Sequence, residues 1–449
     1  MIYHLLIGLF RITVRLFFSS FKVVGKENIP ADKPLLIVAN HPSTFMDPIV
    51  MAVAARRRVH FIAKGSAFKS RFAKWILPKF NMIPIYRQDY EPGEMHKNAE
   101  TFEKVYEILE QGGAVIIFPE GISYTDRILK KLKSGAMRMA LGVEAKNNFK
   151  LGVHILPMGL NFSNPHKFRS KLQINIGVPI SVNDYKELYE QDKFKAAHAL
   201  KDEVRLAIEK LTVCIDSPAT DQLIARVETI YKRNFLDAQN RRELDIHEEL
   251  RIAELVRDKV YYFIQNDPER VKEVSLMLED HAKLLQVLHL DGEVVDIIGN
   301  EKTRFTLDDF LYYLSGFPIF LFGTINNFLP YKLPGIINRK INARHDFTGA
   351  ILMSSGTFVF LIFYIAQTIL IHYLTGSWIV AMIYLVLLPI TGLMAYYYHE
   401  KFKHQMQTSR YHRLKNKGDA NANKLVEIEK SIVSQIENVM KQMDGIQVA

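Results

Sequence analysis

The chain has 449 residues, a formal net charge of +10 and 48% hydrophobic residues. A chain this long and this apolar can bury two or three cores, which excludes an intrinsically disordered protein. Its basic balance favours an anionic partner, such as a phosphorylated metabolite or a lipid surface, and its single cysteine excludes an internal disulfide.

The first 24 residues are apolar but carry four separated cationic side chains, His4, Arg11, Arg15 and Lys22. Their spacings of seven, four and seven residues predict a helix with all four on one face. Two of the arginines interrupt the apolar core that a secretory signal needs. We therefore expect an interfacial membrane helix over residues 1–24, with an amphipathic helix packed on its own domain as the alternative.

The next apolar run leads into a stretch that suggests chemistry. Residues 35–39 predict a buried strand, which the proline after His41 ends. Ser43 or Thr44 can then cap a helix. This order places the His41 imidazole at a strand end and the Asp47 carboxylate in the next turn, as in a general base held by an orienting acid. Capping and turning alone remain the structural alternative for these residues.

Two further strands are also followed by polar groups. A short apolar strand ends in Arg87, whose guanidinium can bind phosphate with two hydrogen bonds. A buried strand over residues 114–118 is followed by proline, then Glu120 and Gly121. A glutamate beside a glycine at a strand end can hold a substrate hydroxyl or brace a base.

The rest of the first domain continues the alternation of strands and helices. Lys133 lies just before a further predicted helix, where lysines and backbone N–H groups favour an anion. Residues 153–160, broken by Pro157, and residues 172–177 predict two more strands. The alternation predicts an α/β domain over residues 25–215, with ligands bound at the strand ends.

The strand ends together resemble the glycerolipid acyltransferase family, whose members acylate glycerol-3-phosphate or lysophosphatidic acid. The matching stretches are its histidine–aspartate motif at residues 40–47, its arginine motif at 83–87, its Phe-Pro-Glu-Gly motif at 118–121 and its apolar-proline motif at 155–157. The resemblance covers about residues 25 to 200. It implies the glycerolipid acyltransferase fold, an α/β domain with a mixed sheet flanked by helices.

The first motif departs from the family pattern. The family usually places four residues between the histidine and the aspartate, whereas five intervene here. On one continuous helix, the extra residue turns the carboxylate by about 100° around the axis. The pair can still meet if the loop before the helix absorbs the extra residue. A longer spacing that begins His-Pro looks like the fungal-type glycerol-3-phosphate acyltransferase branch and its bacterial relatives.

The resemblance implies direct acyl transfer from a thioester donor, acyl-CoA or acyl carrier protein, to a hydroxyl of a phosphorylated glycerol acceptor. His41 is the implied base and Asp47 the acid that orients it. The implied substrate-binding residues are Arg87, Glu120, Gly121, Lys133 and Ser43. In the implied arrangement, Arg87 and Lys133 hold the acceptor phosphate. Glu120 and Gly121 shape the acceptor site. Ser43 as an acyl-carrying nucleophile is a less favoured alternative. No cofactor and no metal is expected.

The remainder of the chain reads as helical and membrane-associated. Residues 216–305 show apolar residues at helical spacing and predict three to five helices. Within a membrane region over residues 306–400, the uncharged runs at about 347–371 and 378–398 are long enough to span a bilayer and predict a helical hairpin. Residues 401–449 predict a basic segment followed by a cytosolic amphipathic helix.

Cations on both flanks of the hairpin predict an integral membrane protein with its catalytic domain on the cytoplasmic face. Residues 310–329 are apolar too. A single crossing there would put the basic flank before the hairpin and the first domain on opposite sides of the bilayer. We therefore expect this segment to be interfacial or re-entrant.

Together these features predict a membrane-bound O-acyltransferase of phospholipid synthesis that makes lysophosphatidic or phosphatidic acid. A lysophospholipid or dihydroxyacetone phosphate acceptor is the alternative within this class. A non-catalytic lipid-binding scaffold is the alternative outside it, and the lengthened histidine–aspartate spacing is its only support. A nucleic-acid partner is disfavoured, because the chain has no nucleic-acid reading motif and the hairpin assigns the positive charge to lipid.

Overall fold

The computed structural model describes residues 2–87, 91–239, 241, 243–292 and 306–444. The chain divides into two compact units. The first comprises Met1–Asp216 together with Asn338–Thr357, and the second comprises Ser217–Ile337 together with Phe358–Ala449. The first unit thus ends close to the predicted domain boundary at residue 215, but it also takes in a segment predicted for the membrane region.

The first unit is built around one mixed sheet. Its strands are β1 (Ser20–Val24), β2 (Leu35–Ala39), β3 (Val59–Lys64), β4 (Met82–Ile85), β5 (Ala114–Ile117), β6 (His154–Phe162), β7 (Lys171–Ile176) and β8 (Ile180–Ser181). The strand order is β1-β7-β6-β2-β5-β3-β4, and β8 pairs with β6. From β6 through β2, β5 and β3 to β4 all neighbours are parallel, whereas β7 and β8 run antiparallel to β6. The carboxyl ends of the parallel strands therefore share one edge.

Helices cover both faces of this sheet. They are α1 (Ile2–Phe17), α2 (Met46–Ala54), α3 (Arg71–Ile76), α4 (Asn98–Glu110), α5 (Gly135–Lys146), α6 (Lys186–Gln191) and α7 (Lys193–Glu209). Alternate residues of β2 enter two cores, since strand side chains alternate between faces. Leu35 and Ile37 pack with residues of α1 and α2, and Leu36 and Val38 pack with residues of α4, α5 and α7. The predicted mixed sheet flanked by helices is confirmed.

The N-terminal helix differs from its prediction in length and surroundings. It ends at Phe17, and Lys22 lies on β1, so the prediction of four cations on one helical face is wrong for Lys22. The pairing of β1 with β7 overrides the apolar helical pattern. Val14 is buried in the core of the first unit, whereas Leu5 is 75% exposed. One face of α1 therefore packs on its own domain, and the interfacial role of the other face stays a prediction.

The second unit is helical. Its helices are α8 (Pro218–Ala238), α9 (Ile246–Asn266), α10 (Pro268–Leu288), α11 (Leu307–Ile341), α12 (Thr348–Thr375), α13 (Trp378–Asn416) and α14 (Ala420–Asp444), with the end of α11 and the start of α12 belonging to the first unit. Helices α8, α9 and α10 agree with the predicted helical region. The apolar stripe of α14 packs inside this unit, where Leu425 and Ile432 are fully buried.

Two helical segments in the described part of the chain, His345–Thr375 and Trp378–Asn416, are long and apolar enough to cross a membrane. They contain the two predicted spans, and Gly376, with φ +67°, lies in the short link between them. Residues 310–329 lie inside the continuous helix α11, despite its internal prolines. No turn reverses the chain there, so the re-entrant version of the prediction is not supported, and the interfacial version stays a prediction.

Candidate active site

His41 and Asp47 meet at the carboxyl end of β2. The Nδ1 atom of His41 lies 2.8 Å from Oδ2 of Asp47. The same carboxylate oxygen accepts a hydrogen bond from the backbone N–H of Ser43 at 2.7 Å. Asp47 is fully buried, and burial raises its pKa above the ordinary value of 3.8. The carboxylate thus holds the imidazole by one nitrogen, and the catalytic roles of the pair stay predictions.

The loop before α2 absorbs the additional residue of the histidine–aspartate motif. Thr44 adopts a left-handed backbone conformation with φ +43°, which few non-glycine residues do. The helix therefore begins only at Met46 and carries Asp47 in its first turn. The predicted caps, Ser43 and Thr44, are wrong, because the cap position is Phe45 and no side chain caps the helix. The Asp47 carboxylate instead accepts the Ser43 N–H.

Ser43 contacts the dyad through its backbone rather than its hydroxyl. Its Oγ atom is buried and has no hydrogen-bond partner among the described residues. A nucleophilic serine needs a hydrogen bond to its base, whereas His41 Nδ1 is bonded to Asp47. The arrangement thus favours His41 as a direct base over the alternative in which Ser43 carries the acyl group.

Glu120 braces the backbone of the His41 loop from the neighbouring strand. Its Oε1 accepts the N–H of His41 at 2.8 Å, and its Oε2 accepts the N–H of Lys130 at 3.0 Å. Burial raises the pKa of Glu120 to about 6, although both hydrogen bonds oppose the shift. Both carboxylate oxygens are therefore used for positioning. The structure supports a bracing role for Glu120, one of the two roles left open by the sequence.

Gly121 brings the two predicted phosphate-binding cations together. Its backbone has φ +73°, a conformation that glycine adopts at little cost. A Cβ atom built there would lie 3.3 Å from Nη1 of Arg87 and 3.5 Å from Cδ and Cε of Lys133. The Lys133 backbone N–H also donates to the Pro119 carbonyl at 2.8 Å. The guanidinium and the lysine stem thus flank the turn that follows Glu120.

Asn40 is a positioning residue that the sequence reasoning missed. Its side-chain amide donates to the carbonyl of Leu160 at 3.0 Å and accepts from the N–H of Leu160 at 2.8 Å. This reciprocal pair continues the β2–β6 ladder one residue past the end of β2. It fixes the backbone just before His41. In the sequence, a polar residue between the predicted strand and His41 was the signal that could have revealed this role.

The prediction that Pro157 breaks the strand over residues 153–160 is wrong. Pro157 lies inside β6, which runs from His154 to Phe162, and it pairs in register with Val38. Proline fits there because the antiparallel partner of β6 changes between Ile155, which pairs with β8, and Met158, which pairs with β7. The missing N–H therefore falls between two ladders. Pro157 contributes to the sheet, not to a polar strand end.

Comparisons with known proteins match the part of the chain that contains these site residues. Residues 20–161 match the model of the Acyltransferase family. The chain carries an acyltransferase-family domain. The domain starts with β1 and ends within β6, so it contains His41, Asp47, Arg87, Glu120, Gly121 and Lys133.

Several curated proteins are similar to this chain. An uncharacterized acyltransferase of Schizosaccharomyces pombe is 21% identical over 60% of this chain and 52% of its own length. Glycerol-3-phosphate O-acyltransferase 1 of Saccharomyces cerevisiae is 30% identical over 38% of this chain and 22% of its own. The 1-acyl-sn-glycerol-3-phosphate acyltransferase of Bacillus subtilis is 25% identical over 43% of this chain and 90% of its own. The chain thus spans about half or less of the two fungal relatives.

One solved structure is also similar. The crystal structure of the 1-acyl-sn-glycerophosphate acyltransferase PlsC from Thermotoga maritima aligns with 45% of this chain and 78% of that chain. The sequence identity is 22% and the TM-score is 0.33.

Proposed function

We propose that this protein is a membrane-associated O-acyltransferase of phospholipid synthesis. It transfers a fatty acyl group from a thioester donor to a hydroxyl of glycerol-3-phosphate or 1-acylglycerol-3-phosphate. One observation carries the proposal: the 2.8 Å contact between His41 and Asp47 at a strand end, at the edge of the sheet where Arg87 and Lys133 flank Gly121. A base and a phosphate-binding pair at one edge are what acylation of a phosphorylated alcohol requires.

The proposed reaction uses His41 twice. With Nδ1 bonded to Asp47, Nε2 is the nitrogen that takes the proton from the acceptor hydroxyl. The acceptor oxygen forms the new ester bond to the thioester carbonyl carbon through a tetrahedral intermediate. When the C–S bond breaks, the leaving thiolate takes the proton from the imidazolium. The Asp47 carboxylate stabilises the imidazolium between the two proton transfers.

The two cations around Gly121 define the acceptor class. A guanidinium donates two parallel hydrogen bonds to a phosphate, and a lysine adds a mobile charge. Curated relatives are named for glycerol-3-phosphate and for 1-acyl-sn-glycerol-3-phosphate, and both compounds present a phosphate near a hydroxyl. The donor is acyl-CoA or acyl carrier protein. The scaffold alternative loses its only support, since the lengthened loop still lets the dyad form.

The membrane part of the proposal rests on the two long apolar helices. We place the catalytic domain on the cytoplasmic face, because lysines and arginines flank these helices at both outer ends. Thioester donors are cytosolic, so this orientation brings donor and base to the same side. The acceptor or its acylated product then lies beside the bilayer surface.

The test is acyl transfer by the purified full-length protein in lipid nanodiscs. Radiolabelled glycerol-3-phosphate and 1-acylglycerol-3-phosphate are offered in parallel, each with palmitoyl-CoA and with palmitoyl acyl carrier protein. We expect transfer to at least one acceptor, with loss of transfer in His41→Ala. A folded protein that acylates neither acceptor with either donor would disprove the proposal.

A further inference from the structure

A segment from outside the family domain packs against the candidate active site. Residues 344–349, named here the return segment, comprise the short helical turn before α12 and the first two residues of α12, and they belong to the first unit. It therefore joins the catalytic unit to the first of the two helices that are apolar enough to cross a membrane. Nothing in the sequence pattern connects it to the strand ends.

The return segment binds the turn that follows Glu120 and Gly121. The Asp346 carboxylate accepts a hydrogen bond from the Ser123 hydroxyl. Arg344 bonds both oxygens of Asp346, at 3.1 and 2.7 Å, and donates to the Ser123 carbonyl at 3.3 Å. Its guanidinium also lies 5.7 Å from the centre of the Tyr124 ring. Ser123 and Asp346 are both buried, where hydrogen bonds to a charged group are strong.

The turn that contains Ser123 also holds the backbone of His41. The backbone N–H of Tyr124, the residue after Ser123, donates to the carbonyl of His41 at 3.2 Å. The His41 backbone is thus held at its N–H by Glu120 and at its carbonyl by Tyr124. A path of direct contacts leads from Asp346 through Ser123 to the His41 peptide.

The return segment also touches the opposite loops of the site. The Phe347 ring lies 6.2 Å from that of Phe45, in the loop between His41 and α2. A Cβ atom on Gly349 would overlap the Pro165 carbonyl and lie 2.7 Å from Cε of Met46. The segment is therefore packed closely against the start of α2, which carries Asp47.

We propose that Asp346 is a positioning residue of the acyl-transfer site, which it serves by fixing Ser123 and thereby the Tyr124 N–H that holds His41. The inference rests on the proposed function for its kinetic consequence. It adds that the proposed activity depends on the return segment, which leads into the first long apolar helix. Displacement of the return segment loosens the loop that carries the base.

The kinetic test compares Asp346→Ala, Ser123→Ala and the double variant, all full-length in nanodiscs. We expect each single variant to lower kcat about 10- to 100-fold with little change in the acceptor KM, because a buried charged hydrogen bond is lost without loss of a substrate contact. The double variant should be about as slow as either single variant, since both break the same link. Asp346→Glu should recover part of the rate.

The matched control is Asp309→Ala. Asp309 is also an acid in the first turn of a helix in the predicted membrane region, and it contacts Thr306 and Lys401. We expect its kcat to stay at the wild-type value. Unchanged kcat in folded Asp346→Ala, or losses that add fully in the double variant, would overturn the inference while leaving acyl transfer intact.

A second readout is independent of activity. Amide hydrogen exchange of peptides that cover residues 121–126 reports whether Tyr124 stays bonded to His41. We expect at least 10-fold faster exchange in Asp346→Ala and Ser123→Ala than in wild type and Asp309→Ala. Equal exchange in all four proteins contradicts the positioning link, even if the wild-type protein transfers no acyl group.

Discussion

The imidazole ring of His41 lies flat on the phenyl ring of Phe118, with centroids 4.0 Å apart and planes 13° apart. The two residues follow neighbouring parallel strands, β2 and β5. Stacking fixes the plane of the imidazole, and the bond to Asp47 fixes its rotation within that plane. The remaining nitrogen, Nε2, is therefore held in one direction before any substrate binds. Such preorganisation is what a general base needs.

We expect His41→Ala to lower kcat by about three orders of magnitude or more, because positioned proton transfer and its geometry are both lost. The measurement is acyl transfer under saturating donor and acceptor. His198→Ala is the matched control, since this histidine is exposed on α7, and its rate should equal that of the wild type. A His41→Ala protein within tenfold of wild type would remove His41 from the reaction.

Asp47→Asn should change catalytic rate and thermal stability in opposite directions. A buried carboxyl with a raised pKa favours its neutral form in the folded protein, so its contribution to stability falls as pH rises from the unfolded value through the folded one. The neutral asparagine carries no buried charge, and its oxygen can still accept the Ser43 N–H. We expect Tm to rise and kcat to fall ~10²–10⁴-fold. A drop in both quantities would contradict this account.

Arg87→Gln should weaken acceptor binding specifically. Loss of a bidentate charged contact costs about 1.5–3 kcal/mol, so the acceptor KM should rise roughly 10- to 100-fold while the donor KM stays constant. Arg138→Gln serves as control, because Arg138 is an exposed arginine on α5. Equal acceptor KM values for the wild type and Arg87→Gln would place this guanidinium outside the acceptor site.

Two glycines allow backbone strain to be separated from crowding of the site. Gly121 and Gly112 have almost the same φ, +73° and +72°, but a Cβ on Gly112 meets no atom within 4 Å. Both alanine variants should lose about 1 kcal/mol of stability from the left-handed backbone. Only Gly121→Ala should also raise the acceptor KM, by displacing the Arg87 guanidinium, which would lie 3.3 Å from the new Cβ. Equal acceptor KM values in the two variants would argue against this arrangement.

Glu120 gives a pH-dependent difference in stability. Its pKa of about 6 lies above the ordinary value of 4.5, so the folded state gains a proton before the unfolded chain does as pH falls. Wild type should therefore become more stable relative to Glu120→Gln by ~1–2 kcal/mol as pH falls from 7 to 4.5, with most of the change between the folded pKa and the unfolded one. Parallel thermal scans of both proteins measure this, and a Tm difference that is constant with pH would contradict the raised pKa.

The strand ends were accessible from the sequence because each is a local pattern. An apolar run, a proline and a polar residue are contiguous, and parallel pairing brings such ends to one edge. That reasoning located His41, Asp47, Arg87 and Glu120 without coordinates. It failed for Pro157, since a proline inside a strand and a proline that ends one look alike in sequence.

Other features depend on contacts that sequence does not display. The left-handed backbone of Thr44 is stabilised by the surrounding loops, because threonine has no intrinsic preference for that conformation. Strand β1 was predicted as helix because an apolar stretch does not reveal that β7 lies beside it. The contact between Ser123 and Asp346 joins residues 223 positions apart, and no local signal marks either one.

The return segment has a consequence for biosynthesis. The first unit draws Ala350 and Met353 of α12 into the same core as β2 and α2, so its packing is incomplete until residues near 357 have left the ribosome. By then the chain has emerged as far as the first long apolar helix. Completion of the first unit therefore coincides with the emergence of this helix from the ribosome, and the newly made chain acquires a fully packed site around His41 only once residues 345–357 are available.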